Sequence, residues 1–217
     1  LCMVFSFIYF YHLQYMMLQP FYEVKELLGL SQVSLQDIKV SSPFIAKIII
    51  SLLGAVMVSF PYFILESCRF VYPSLSGFVT RSSFLLVFIS SVSLYVVGCL
   101  FGYFYLLPTS LYFFMSMING DVIFAPERIN YIFFSFWMVL ICGIIFQLPI
   151  VSILLTKSRI INYEFLKQMR SYSLILILIV SALLSPPDPL SQILIALPLY
   201  LLYEVSVFIS YVLRKKS

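Results

Sequence analysis

The sequence predicts an all-α membrane protein with six transmembrane helices. Of its 217 residues 62% are hydrophobic and 10% charged, more apolar surface than the interior of a soluble domain this long can hide. The apolar residues also fall into six stretches, roughly 1–19, 43–65, 83–107, 131–155, 172–184 and 189–213, most of them near the ~20 residues needed to cross a hydrocarbon core. None of the six alternates with period two as a membrane barrel strand would, and helices satisfy their backbone groups within a single segment.

Taken in order, the first stretch is already apolar at Leu1, so an inner N-terminal segment is expected to precede it. No basic leader or small-residue cleavage site marks a signal peptide. In the outer segment that follows, FYEVKELLGL carries Phe21, Val24, Leu27 and Leu28 at helical spacing. That spacing predicts a short helix lying along the outer interface. The second outer segment, NGDVIFAPERIN at 119–130, opens on a turn signal and contains a proline break. The inner connection TKSRIINYEFLKQMRS at 156–171 mixes bases with apolar residues and suits the inner headgroups. Stretch five has only ~13 residues, and at about 1.5 Å each it falls short of a core about 30 Å thick. SPPDP alone separates it from stretch six, so the two form a tight outer hairpin. Pro61, Pro149 and Pro198 lie deep in their stretches, where a ring removes one backbone bond and bends a helix. Residues 1–217 read as a single membrane domain, with no internal repeat.

Charge placement sets the orientation. Arg69, Arg81, Lys157, Arg159, Lys167, Arg170, Arg214, Lys215 and Lys216 flank one side, against Lys25, Lys39 and Arg128 on the other. Basic residues mark the inner face, so both termini are predicted inside. Lys47, near the outer end of stretch two, is free to snorkel outward. Topology accounts for the net charge of +4, and no nucleic acid is implied. Cys2, Cys68, Cys99 and Cys142 have no metal-like spacing and read as packing residues. The sequence contains no phosphate-binding glycine loop, HExxH or GxSxG. No enzyme, metal or cofactor is expected.

A polar side chain inside a span costs on the order of 2–3 kcal/mol on insertion scales, so each is a candidate site. Glu204 in stretch six is either a carboxyl bonded to a neighbouring helix or a contact for a polar partner in the membrane. Asp188 suits the first turn of the last helix, where an acid complements the dipole. Gln147, two residues before Pro149, either satisfies the backbone freed there or faces a partner. Gln192, Glu66, His12 and Gln14 complete the set, and Tyr103 by itself means packing.

The run SPFIAKIIISLLGAVMVSFPYFILESCRFVYPSL (42–75), then FGYFYLLP (101–108), FQLPIVSILL (146–155) and LLSPPDPLSQILIALPLYLLYEVSVFIS (183–210) resembles the TatC family, the core of the twin-arginine protein translocase. The most distinctive piece is S-P-P-D-x-x-S-Q-x-x-x-A-x-P, with an acid six residues after its last proline. The resemblance implies a curved, glove-like wall of six helices whose last two are short. It implies a receptor that recognises paired-arginine signal peptides and assembles with single-span TatA- or TatB-type subunits, as a homo- or hetero-oligomer. Folded cargo would then cross the membrane on the proton-motive force. Carried over residue by residue, Pro43 and Phe44 match the outer cap and Pro61 the kink, while Phe70 and Pro73 match the inner loop that helps bind signal peptides. Tyr103, Gln192 and Glu204 match polar positions shared with partners. Pro187 and Asp188 match the outer hairpin.

Bacterial members of that family carry an inner-loop glutamate where this chain has Val79, and a glutamate in span four where it has Gln147. Glu66 is then the nearest inner acid for a guanidinium pair. With the Phe- and Ile-rich composition, these changes resemble the organelle-encoded branch. That implies the mitochondrial inner membrane with termini in the matrix, the thylakoid and the bacterial inner membrane being alternatives. Two other functions remain open at the level of sequence: a TatC-derived structural subunit of a larger inner-membrane complex, and a small-molecule or proton transporter.

Overall fold

The computed structural model describes residues 2–30, 33–75, 81–116, 125–157, 163–184 and 189–216. Among them, ten α-helices follow one another: α1 (Cys2–Ile8), α2 (Phe10–Leu27), α3 (Ser42–Leu75), α4 (Arg81–Phe101), α5 (Leu107–Ser116), α6 (Arg128–Ile145), α7 (Leu148–Lys157), α8 (Tyr163–Gln168), α9 (Arg170–Leu184) and α10 (Pro189–Lys216). A π turn, Gly102–Leu106, joins α4 to α5. Four segments are long and apolar enough to cross a bilayer: Ser42–Ser67, Leu85–Ser116, Arg128–Thr156 and Ile195–Val212. Arg170–Ala182 is apolar but shorter. The 15 residues of α9 rise only about 22 Å, which agrees with the short fifth stretch.

Three local expectations change. The separate interfacial helix at 21–28 is absent, because α2 runs through Pro20 and continues to Leu27. It ends on a Schellman turn in which the amides of Gly29 and Leu30 donate to the carbonyls of Glu26 and Lys25 at 3.0 and 3.2 Å. Gly29 takes φ +65° there, a left-handed conformation that a Cβ would penalise. Phe70 and Pro73, expected in an inner loop, belong to the last turns of α3. Stretch three, expected to end near 107, continues through the π turn to Ser116.

The prolines act unequally. Pro61 and Pro198 sit inside α3 and α10, which run on through them. Pro149 instead divides span four into α6 and α7. Its missing N–H leaves the Ile145 carbonyl without the usual donor. The Gln147 amide donates three residues back to Ile144 at 3.0 Å, and the chain turns at Phe146 and Gln147. Ahead of Pro108 the helix widens, with the Leu107 amide donating five residues back to Gly102.

Contacts group the chain into two compact units. The first comprises Leu1–Phe60 with Leu100–Ile141, the second Pro61–Cys99 with Cys142–Ser217. Within the first, α2 packs on α5, and Phe21 meets Tyr131 edge to face at 5.4 Å between centroids. Lys47 places its ammonium 4.4 Å from the Phe7 ring centroid and 5.5 Å from that of Phe10. Two ring faces of the first span therefore meet its charge, where an outward snorkel was expected. The segment before α3 and the one before α6 are joined by a parallel bridge, Gln36 to Glu127. The Gln36 amide donates to Pro126 at 3.1 Å and the Arg128 amide to Gln36 at 3.0 Å. An ion pair between Arg128 and Asp37 at 2.9 Å reinforces it.

Within the second unit α10 packs on α7, α8 and α9. Ile195, Leu199, Tyr203 and Val207 recur every four residues on its buried side, the spacing that brings residues to one helix face. Small buried serines allow close approach, and the Ser210 and Thr156 hydroxyls share a hydrogen bond of 3.0 Å. Helix α4 crosses the end of α6 at paired glycines. A Cβ at Gly98 would stand 2.8 Å from Phe146, and one at Gly143 would stand 2.7 Å from Tyr95.

Candidate functional site

Glu204 lies on the third turn of α10 beyond Ile195, and its two carboxylate oxygens are both engaged. One accepts from the Arg170 guanidinium at 2.8 Å, the other from the Tyr200 hydroxyl at 2.9 Å. Its own helix supplies Tyr200 at the i−4 position, and the first residue of α9 supplies Arg170. Of the two readings open for Glu204, this is the carboxyl bonded to a neighbouring helix. The side chains stay 41% and 31% exposed for Arg170 and Glu204. The pair therefore sits at the surface of the helix packing, where lipid or another helix would meet it.

Charge counting had placed Arg170 in the inner connection, and its role was missed. A signal was present in the numbering. Arg170 and Glu204 each stand 17 residues from Pro187, the centre of SPPDP. Two antiparallel helices folded about that point bring the two positions to one level. The Tyr203 hydroxyl adds a third tie from α10, donating to the Leu166 carbonyl of α8 at 2.5 Å.

Gln147, Gln192 and Tyr103 are each bonded elsewhere in the chain. Gln147 is buried and turned to α4, where its amide nitrogen donates to the Ser91 carbonyl at 3.1 Å and its oxygen accepts from the Ser91 hydroxyl. It does not serve the carbonyl freed by Pro149, so the kink-satisfying reading of Gln147 gives way to an interhelical pair. Gln192, near the start of α10, donates to the Leu178 carbonyl of α9 at 3.0 Å. Gln192 and Glu204 are about 18 Å apart along α10, so they form separate ties rather than one site. Tyr103, on the π turn, donates to the Met16 carbonyl of α2 at 2.6 Å. A π turn often marks a functional position.

Glu66 is half-buried at the C-terminal end of the apolar part of α3. Because α3 extends to Leu75, positions 66, 70 and 73 follow i, i+4 and i+7 on one face of a continuous helix. At the other end of α3, Pro43 falls in the first turn, where a missing N–H leaves no helical bond unmade. Phe44 beside it is 68% exposed. Ser42 braces this entry by accepting the Lys39 amide at 3.2 Å. Val79, Pro187 and Asp188 lie outside the described residues. His12 is exposed on α2 and Gln14 is half-buried.

Chemically, the arrangement holds polar groups in pairs that tie one segment to the next, α10 to α9, α10 to α8 and the turn between α6 and α7 to α4. The model of the Sec-independent protein translocase protein (TatC) matches residues 1–198. A TatC of Desulforapulum autotrophicum is 33% identical over 80% of this chain and 64% of its own length. One of Halothiobacillus neapolitanus is 32% identical over 80% of the chain and 47% of its own length. The chain thus spans about half to two thirds of these two relatives. A third, from Aquifex aeolicus, is 31% identical over 86% of this chain and 78% of its own length. Two crystal structures described as the twin-arginine translocase receptor TatC also match. One has a TM-score of 0.76 and 27% identity, covering 97% of this chain and 92% of the other. The second, in DDM, has a TM-score of 0.74 and 29% identity, covering 96% and 94%. On the family model, the relatives and the shared fold together, this six-stretch helical membrane chain belongs to the TatC family of Sec-independent protein translocase proteins.

Proposed function

We propose that the chain is the receptor core of a twin-arginine translocase, a transport component rather than an enzyme. It would take signal peptides bearing paired arginines and assemble with single-span TatA- or TatB-type subunits. Folded cargo would cross on the proton-motive force. The observation that carries this reading is the likeness to the twin-arginine translocase receptor over 97% of the chain. The absence of any nucleotide-binding loop in the sequence supports an ion gradient as the energy source.

Recognition of a guanidinium pair calls for a carboxylate able to accept bidentate bonds. Glu66 is our candidate for that carboxylate. Phe70 and Pro73, at helical spacing beyond it, continue the same face toward the inner end of α3. The half-buried Arg170–Glu204 pair and Tyr103 are the proposed meeting points for single-span partners. Pro43, Phe44, Pro187 and Asp188 serve the outer cap and hairpin. The Val79 and Gln147 replacements support an organelle-encoded member, with both termini in the mitochondrial matrix.

Photo-crosslinking of a twin-arginine peptide to the chain in membranes tests the receptor reading. Glu66→Gln is expected to lower the yield about tenfold, the loss of roughly 1.4 kcal/mol of charge-assisted bonding. Equal yield removes Glu66 from the site. A second reading, a TatC descendant retained as a structural subunit, is favoured by Gln147 having no carboxylate and by its inward pairing with Ser91. Copurification separates the two: a single-span amphipathic partner supports the translocase, and recovery with respiratory subunits alone supports the structural role.

A further inference from the structure

Helix α2 passes through Pro20 with an accounting problem. Proline has no N–H, so the carbonyl four residues earlier, that of Met16, loses its helical donor. A carbonyl left bare in hydrocarbon is strongly unfavourable, so another donor has to reach it. The Tyr103 hydroxyl donates to that Met16 carbonyl at 2.6 Å. The next carbonyl, Met17, receives the Tyr131 hydroxyl at 2.9 Å. Tyr131 is buried, and its ring packs edge to face against Phe21, the residue after the proline. The two donors come from different segments, the π turn and α6. The π turn widens the helix at Tyr103 itself, just ahead of Pro108.

We propose that Tyr103 is a positioning residue that replaces the helical donor missing at Pro20, with Tyr131 bracing the next carbonyl, and so fixes the direction in which the last two turns of α2 continue. Those turns carry Phe21 and Val24, both almost fully buried. They lead into the outer segment that is bridged to Glu127. Tyr103 thereby has a role inside the chain that needs no partner protein.

The test is a double-mutant cycle on the full chain in mild detergent, with thermal unfolding as the readout. Tyr103→Phe should lower the midpoint by roughly 2–4 °C in the Pro20 background. Pro20→Ala restores an N–H to Met16, so in that background the same substitution should change the midpoint by less than about 1 °C. Amide exchange at Phe21 to Val24 should follow suit, faster in Tyr103→Phe and slow again when Pro20→Ala is added. Tyr131→Phe is the control: the Met17 carbonyl keeps the Phe21 N–H as its helical donor, so the loss there should be the same in both backgrounds. For Tyr103→Phe, a loss of equal size in both backgrounds, or no loss in either, overturns the proposal. The readout is independent of translocation, so the receptor reading and this one fail separately.

Discussion

Gln147 shows how a single amide can serve as a joint between helices. It gives its nitrogen to the Ser91 carbonyl and takes the Ser91 hydroxyl on its oxygen, at a buried position. Such interhelical bonds in membranes average near 0.6 kcal/mol and reach about 1.7. Gln147→Leu is therefore expected to destabilise the chain by about 1 kcal/mol in detergent unfolding. Gln147→Glu should cost more, since a carboxylate there would be buried against two groups of which only the hydroxyl donates. A glutamate variant as stable as the parent would show that water or another donor reaches this position. At the same scale, the identities of Gln147, Gln192 and Tyr103 as polar span residues were readable from the sequence. Their partners were not, because Ser91, Leu178 and Met16 are ordinary apolar-span residues offering backbone or a single hydroxyl.

Between elements, the hairpin of α9 and α10 is governed by its centre. Arg170 and Glu204 are equally far along the chain from Pro187, and they meet at 2.8 Å. Removing one partner leaves an uncompensated charge at the membrane, on the order of 2–3 kcal/mol on insertion scales. Arg170→Ala and Glu204→Ala should each destabilise the chain measurably. The exchange Arg170→Glu with Glu204→Arg should recover most of the loss in an unfolding series, and no recovery would refute pairing as their main role. Partial exposure keeps the energy below that of a sealed pair. The break before Pro149 and the continuation through Pro20 were legible only as proline positions. Whether a helix tolerates the ring depends on what satisfies the freed carbonyl, and tertiary neighbours decide that.

Across the whole chain, apolar runs and flanking charges already gave six helical stretches with short stretch five, and the family fold agrees. Boundaries were least legible where a helix leaves the apolar core, as in α2 to Leu27 and α3 to Leu75, since hydropathy reports depth rather than helicity. The orientation has a direct check. With both termini on the basic side, labels at Ser217 and at Asp188 should respond oppositely to an impermeant cysteine reagent applied to sealed vesicles; the same response from both would reverse the topology. The family was legible through the hairpin signature, whereas the one-face spacing of positions 66, 70 and 73 emerged only once α3 was seen to be continuous. One consequence concerns the outer bridge at Gln36 and Glu127. Its two bonds run main chain to main chain, so mutation can rewrite nearly any side chain there while the seam holds. Only an imino acid at 36 or 128 would unpick a stitch, leaving evolution wide freedom to repaint that rim for new neighbours.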